Sequence, residues 1–434
     1  MSEAQLQLGV AYQASGDSAK AQEIFSQLTG GEGESTTGAA AAQAFIRLGN
    51  LAREQDDTDT AVAQYQAAQK ADPTAVAAYV QLAQIFTTQG KAELALTQLE
   101  TAVQNNPTSA EAAFELGRAY RQQGRAKEAI KQLERAVELR PSYVEAYMQL
   151  SQAAADTKNL ERAGILLNKA LKLAQRDALA ARVLIQRGDL FRSQGKYGSA
   201  IDDFNRAISL DPRNLAAYVG LGETYRAKGE PDQAIDRYRA ALLLDETFVD
   251  AHVKLGNAYR EAGRFDEAVA SYRRANELQP QTGWLLLLVG DTLMDASKPD
   301  EALAAYGEAL TAQPDYEQDS AYAARIATVY QAQGKLDDAL AAAEQAEKLA
   351  AAAEESIEGP LQLQADILSD QERWQGAIDL YTQVLELNPE RAQSMRGLAL
   401  AYEAQGRNQE AVTQWRAYLP VSYTHLTLPT NREV

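Results

Sequence analysis

The side chains that most often carry catalysis are scarce in this chain. Its 434 residues include two histidines, His252 and His425, and no cysteine, which excludes thiol catalysis, disulfides and cysteine metal sites. His252 takes the large-residue slot of an amphipathic helix, where packing accounts for it, and His425 falls in a C-terminal stretch unlike the rest. Neither stands at a spacing suited to a metal or a catalytic triad. The segment Gly33 to Ala40, GESTTGAA, has the two glycines of a phosphate loop, yet alanines follow where Lys and Ser/Thr are required and no strand precedes it. It reads as a spacer. Acidic residues number 60 against 42 basic ones, a formal charge of −18, but they fall on exposed helix faces and first turns, where solvation and the helix dipole explain them. The expectation is a chain that is not an enzyme and uses no cofactor or metal. Its acidity argues against a general role on nucleic acid or anionic lipid and favours basic or mixed-charge partners.

The elements that would position any binding residue are best seen in Val249 to Thr282, VDAHVKLGNAYREAGRFDEAVASYRRANELQPQT. Leu255 and Tyr259, with His252, mark one face of a first helix; Ala268, Tyr272 and Ala275 mark one face of a second. Gly256 and Ala268 are small where bulk would hold the two helices apart. Gly263 suits a left-handed C-cap, Asp266 the first turn of the next helix, and Pro280 stops continuation. Each helix would be only about 20 Å long. Neither persists alone.

The same template fits the chain from its start. It defines units at 2–35, 42–75, 76–109, 110–143, 144–177, 181–214, 215–248, 249–282, 283–316, 320–353 and 358–391, then an incomplete one at 392–419. The alanine opening the core face of the second helix recurs in every unit: Ala21, Ala61, Ala95, Ala129, Ala163, Ala200, Ala234, Ala268, Ala302, Ala339, Ala377 and Ala411. Turn glycines recur at Gly16, Gly90, Gly124, Gly195, Gly229, Gly263, Gly334 and Gly406. Extra residues between units predict a flexible loop over Thr29 to Ala40, and lengthened helices or looser turns around Asp315 to Ser320 and Leu349 to Gly359. The stretch 420–434, PVSYTHLTLPTNREV, abandons the period and lacks amphipathic helical spacing. It is expected to be a read-through artefact, with the true protein continuing beyond Leu419 and Met1 an internal start. No basic-then-apolar signal opens the chain, and the longest notable apolar run, Trp284 to Val289, is far short of the roughly 20 residues that cross a membrane. A cytoplasmic chain without membrane insertion is the expectation for the sequence as it stands, exported or tethered if the N-terminus is truncated.

Leu255-Gly256-x2-Tyr259, then Ala268-x3-Tyr272, then Pro280, in 34 residues, resembles the tetratricopeptide repeat. The resemblance implies an all-α solenoid of about twelve stacked helix–turn–helix repeats, wound into a right-handed superhelix whose concave wall is lined by the first helices. Four positions of each first helix would then face the groove. The second of them reads Ile46, Val80, Phe114, Met148, Ile185, Val219, Val253 and Leu287, an apolar strip. The next two flank it with polar pairs: Asn50 and Arg53, Arg118 and Arg121, Asp189 and Arg192, Glu223 and Arg226, Asn257 and Arg260. Trp284 takes the first groove position of its repeat, as an aromatic anchor or as cover for an irregular joint. The family's carboxylate clamp, Lys and Asn in one first helix and Lys and Arg two repeats later, is not matched, because the corresponding positions are Ile46 and Asn50, then Phe114 and Arg118, and the lysines are missing; nor is the asparagine ladder, with only Asn50 and Asn257 in that stripe. The implied function is a non-catalytic scaffold that binds an extended or helical peptide of a partner protein, its arginines gripping carboxylates or backbone carbonyls. Two alternatives stay open: the apolar row packs against neighbouring first helices, or the chain is the regulatory arm of a larger enzyme of glycosyltransferase or kinase type. Oligomeric state is likewise open.

Overall fold

The structure, a computed structural model, describes residues 2–30, 37–280 and 283–426. Residues 31–36, which hold half of the phosphate-loop-like segment and the centre of the expected flexible loop, lie outside the described residues, as do the tail from 427 onward and the side chain of His425. Within the described residues the chain is helical, with one 3-10 turn at Pro314–Gln318 and no strand.

The 24 α-helices form twelve helix–turn–helix pairs. The first six pairs are Ser2–Ala14 with Ser18–Gly30, Ala39–Glu54 with Thr58–Ala71, Val76–Thr88 with Ala92–Asn105, Ala110–Gln122 with Ala126–Leu139, Val144–Asp156 with Leu160–Leu173, and Asp177–Ser193 with Tyr197–Leu210. The last six are Leu215–Ala227 with Pro231–Leu244, Val249–Glu261 with Phe265–Leu278, Gly283–Asp295 with Pro299–Ala312, Ser320–Ala332 with Leu336–Ala352, Glu358–Asp370 with Trp374–Leu387, and Ala392–Ala404 with Asn408–Leu426. Two compact units divide the chain, Met1–Gly220 and Leu221–Val434.

Each turn inside a pair depends on one residue in the left-handed region. At Gly263 φ is +72°, which lets the Arg264 amide donate to the Tyr259 carbonyl at 2.8 Å and satisfies an end that the helix leaves open. Four pairs place a side chain there instead, Asp56, Lys158, Ser297 and Glu372, with φ between 57° and 62°. Such a conformation strains any residue with a Cβ. Starts are capped where the residue type allows, as where Asp57 accepts from the Thr60 amide and Ser109 from that of Ala112.

Packing follows from size. The recurring alanine of the second helix is at most 4% exposed in all twelve pairs, and an aromatic or leucine follows it one turn on in every pair except the one with Leu336–Ala352, where Ala343 does. Tyr65, Tyr238, Tyr272, Tyr306, Phe25 and Phe204 are fully buried, each contributing about 1.5–3 kcal/mol. Their rings fit because the facing first helix carries glycine: a Cβ on Gly256 would stand 2.6 Å from Tyr272. Second helices pack on the next pair's first helix, and first helices also touch one another, among them Val76–Thr88 with Ala110–Gln122 and Glu358–Asp370 with Ala392–Ala404.

The joints take up the extra residues in two ways. Extra residues near 177–180 and 349–352 extend helices Asp177–Ser193 and Leu336–Ala352 to 17 residues each, while those near 315–319 form the 3-10 turn. The structure also corrects the reading that helical order stops at Pro420: Asn408–Leu426 runs through that proline. Periodicity reports a buried face, and past Ala411 this helix keeps no fully buried residue among those described. Backbone hydrogen bonding needs no such face, and the helix continues although Pro420 removes its own donor and crowds the carbonyl four residues before it.

Candidate functional site

Five buried phenols decide what much of the expected stripe can do. Tyr65 donates to Asn50 at 2.7 Å, Tyr238 to Glu223 at 3.1 Å, Tyr272 to Asn257 at 2.6 Å, Tyr306 to Asp291 at 2.7 Å and Tyr381 to Asp366 at 2.8 Å. Every pair is 15 residues apart. A buried hydroxyl without an acceptor costs free energy, so the ninth residue of the repeat unit supplies one. Burial lifts the Tyr272 hydroxyl to about 12, and it stays a donor at neutral pH. Asn50, Glu223 and Asn257, expected to face a ligand, are thus partly committed to their own second helix.

In the unit Leu221–Val434 the arginines of the stripe are engaged across neighbouring first helices. Arg226 pairs with Glu261 at 2.7 Å and with Glu223 at 3.2 Å, and Arg260 with Asp295 at 2.5 Å. Lys254 reaches Glu223 at 3.2 Å, and Arg325 reaches Asp291 at 2.8 Å. For Glu223 burial alone would raise the carboxyl pKa, but Lys254 and Arg226 more than offset it and hold the group below its usual value. Val219 and Val253 are half-buried. Trp284 is 45% exposed beside three buried leucines, Leu285, Leu286 and Leu287. The structure therefore joins Glu223, Arg226 and Arg260 through Lys254, Glu261 and Asp295 in an internal ladder of charges, with Asn257 bonded to Tyr272 beside it.

In the unit Met1–Gly220 the expected residues separate. Phe114 packs on Tyr143 with ring centroids 4.9 Å apart, and Met148 is 8% exposed. Arg121 donates to Gln149 at 3.1 Å and lies 3.6 Å from Asp156, while Arg192 pairs with Asp189 at 2.8 Å. Arg53 and Arg118, by contrast, share the rim of a cavity of about 350 Å³. Its floor is Val80, Ala83, Leu99 and Ala119; its polar wall adds Gln84, Thr87, Thr88, Glu115 and Gln122. Leu99 stands where five other pairs carry a tyrosine, so no phenol donates to Gln84 from that place.

The cavity is prepared for polar contacts. Thr87 and Thr88 donate to the carbonyls of Ala83 and Ile85, both at 2.8 Å, leaving their oxygens able to accept. Arg118 pairs with Glu115 at 2.5 Å and Arg53 donates to Gln81. Burial lifts the Glu115 carboxyl above its usual range, with Arg118 working against it. Sequence reasoning found the two arginines and Val80; Gln84, Thr87, Thr88, Glu115 and Gln122 were missed, and Leu99 was a weak signal for them, because Leu133 and Leu167 fill the same place in the next two pairs.

Two other hollows lie in the unit Leu221–Val434. One, of about 450 Å³, holds His252, whose Nε2 is 3.0 Å from the Glu246 carbonyl. Arg264 crosses it, 4.5 Å over the Tyr259 ring and bonded to Glu267. The other, of about 330 Å³, is lined by Asp366, Asp370, Gln331, Gln393, Arg396 and Gly397. Among the described residues no group of three or more His, Cys, Asp or Glu is placed to hold a metal ion, and no helix is long and apolar enough to cross a membrane.

Comparison with known proteins matches this architecture. Among solved structures with a similar fold, yeast Tom70 is 16% identical, with 88% of this chain and 92% of that one covered at a TM-score of 0.41. A tetratricopeptide repeat protein from Parabacteroides merdae is 19% identical, with 59% and 100% covered at 0.47. YrrB, described as having an unusual peptide-binding site, is 23% identical, with 43% and 94% covered at 0.34. The search of curated proteins finds no match. Tetratricopeptide repeat profiles match residues 6–76, 80–142, 114–178 and 363–420, a TPR repeat profile matches 188–229 and 222–259, and further tetratricopeptide repeat profiles match 249–282 and 327–345. With matches over more than half of its length, the chain belongs to the tetratricopeptide repeat family.

Proposed function

We propose that the protein is a non-catalytic interaction scaffold that holds a peptide segment of a partner protein at the cavity between Arg53 and Arg118. The observation that carries this reading is the cavity itself, an apolar floor of Val80, Ala83, Leu99 and Ala119 under two guanidinium groups. Pockets of this kind take an apolar side chain on the floor while arginine forks bond backbone carbonyls or a carboxylate at the rim. The amides of Gln84 and Gln122 add donors and acceptors that suit an extended backbone. In the other unit Arg226 and Arg260 hold carboxylates of the neighbouring first helix, whereas Arg118 pairs with Glu115 within its own helix, so a ligand at Arg226 or Arg260 would have to break a link between repeats.

Panning a library of random short peptides against the full chain tests the proposal. Peptides enriched on the parent should lose affinity about tenfold or more on the double variant Arg53→Glu, Arg118→Glu, and should keep it on Arg226→Glu, Arg260→Glu. Equal retention on the first variant, with its circular dichroism unchanged, would reject the site.

A further inference from the structure

The hollow beside Asp366 stands out once it is compared with its sister positions. In the pairs that begin at Leu215, Gly283 and Glu358, the ninth residue of the first helix is an acid that accepts a buried phenol: Glu223, Asp291 and Asp366. Glu223 and Asp291 also receive a cation from the sixth residue of the following first helix, Lys254 and Arg325. In the first helix that follows Asp366, Ala392–Ala404, the sixth residue is Gly397. A Cβ there would stand 2.4 Å from Tyr381, so the ring that donates to Asp366 also excludes a side chain that could neutralise it. The remaining hydrogen bonds to Asp366 come from neutral amides, Gln362 at 2.8 Å and Gln393 at 3.1 Å.

Asp370 repeats the pattern. Its counterparts, the thirteenth residues Glu261 and Asp295, are met by arginines at the twelfth position of the preceding first helix, Arg226 and Arg260. For Asp370 that position is Gln331, which donates at 2.6 Å without charge. Two acids therefore border one cavity of about 330 Å³, and at each the cation found in sister pairs is replaced by a neutral or absent side chain.

We infer that this cavity receives a positively charged side chain, arginine or lysine, presented by a partner protein. A guanidinium entering between Asp366 and Asp370 would make the pairings that Lys254, Arg325, Arg226 and Arg260 make internally elsewhere. The exposed Leu400 at the rim offers apolar contact for its methylene stem. Burial, the largest influence, raises the Asp366 carboxyl pKa, and the neighbouring charge of Asp370 adds to it; an incoming cation relieves both. Arg396 lines the same cavity but, among the described residues, is exposed and forms no ion pair. The chain's charge of −18 draws basic partners toward it.

The site is separate from the cavity at Arg53 and Arg118, and either can fail without the other. The probe is a blocked glycine peptide carrying one arginine, with its citrulline twin as the uncharged isostere, titrated against the full chain by NMR. The arginine peptide should bind saturably and the citrulline peptide should not. Asp366→Asn should weaken the arginine peptide about tenfold or more, whereas Asp379→Asn, which removes one charge from an exposed helix face, should leave it unchanged. Arg396→Gln should strengthen binding by removing a like charge. Equal binding of the two peptides, or equal weakening by Asp366→Asn and Asp379→Asn, would overturn the inference. So would a loss of thermal stability in Arg396→Gln without gain in binding, because Arg396 would then be the missing counter-ion.

Discussion

Glu223 and Asp366 occupy the same place in two first helices, accept the same kind of buried phenol, and differ in everything around them. Glu223 sits between Lys254 and Arg226; Asp366 sits among Tyr381, Gln362 and Gln393. The first acid has its pKa lowered because cations outweigh burial, and the second has it raised because burial outweighs neutral hydrogen bonds. One repeat geometry can therefore spend a carboxylate on joining first helices or leave it desolvated beside open space. The ladder of the stretch 215–325 is a stacking device, and the hollow near Asp366 is the same device with its cations removed.

The comparison breaks most sharply at Glu223. Glu223→Gln keeps an acceptor for Tyr238 and strips both cations of a shared partner, although Arg226 retains Glu261 and Lys254 retains Asp250. A loss of about 1–2 kcal/mol is expected at neutral pH, between the values for exposed and fully buried pairs. Urea unfolding of the full chain, with hydrogen exchange in Leu215–Ala227 and Val249–Glu261, measures it. No loss would mean that these pairs contribute nothing to stacking.

The opposite sign is expected at Asp366. Asn accepts from a tyrosine in the equivalent place at Asn50 and Asn257, so Asp366→Asn should keep the bond to Tyr381 while removing a desolvated charge. A gain of about 0.5–1 kcal/mol at neutral pH follows. The pH dependence separates the two variants. Because its folded pKa is lowered, Glu223 stabilises above the ordinary glutamate range and loses that contribution as pH falls through the lowered value. Because its folded pKa is raised, Asp366 carries a cost above the raised value that vanishes as pH falls below the ordinary aspartate range. Both variants should converge on the parent in acid, one from below and one from above. Differences that persist unchanged into acid would show that the substitutions act through packing rather than charge.

Much of the fold was legible because it is local and repeated. The twelve alanines are buried where their spacing placed them, and the eight turn glycines all have positive φ. The phenol bonds were legible too, since a tyrosine follows its acceptor by 15 residues in five pairs. They were missed because Asn50, Glu223 and Asn257 had been assigned outward to a ligand. The cavities are harder. Leu99 and Gly397 matter for the bulk or charge they fail to supply, and the consequence of a missing group depends on neighbours 16 to 31 positions away, such as Glu115 and Asp366. A periodic pattern shows what is present in each unit, whereas a binding site in such an array arises where one unit departs from it.

An effect no larger than that at Asp366 provides the control for the others. Ser297 lies in the stretch of paired charges and Glu372 immediately follows the unpaired one, and both hold the left-handed turn position, at φ 57° and 60°. Substitution by glycine relieves roughly 1–2 kcal/mol of backbone strain, less the roughly 0.5–1 kcal/mol of extra freedom that glycine gives the unfolded chain. Ser297→Gly and Glu372→Gly should therefore each stabilise by about 0.5–1 kcal/mol, with little dependence on pH, because the strain is steric. If the gains are equal, the two regions transmit local stability to global unfolding alike, and the opposite signs at Glu223 and Asp366 belong to their electrostatic surroundings. A gain at Glu372 alone would mean instead that unfolding begins near the unpaired acids, and stability changes at Glu223 would then need to be read by hydrogen exchange rather than from the global transition.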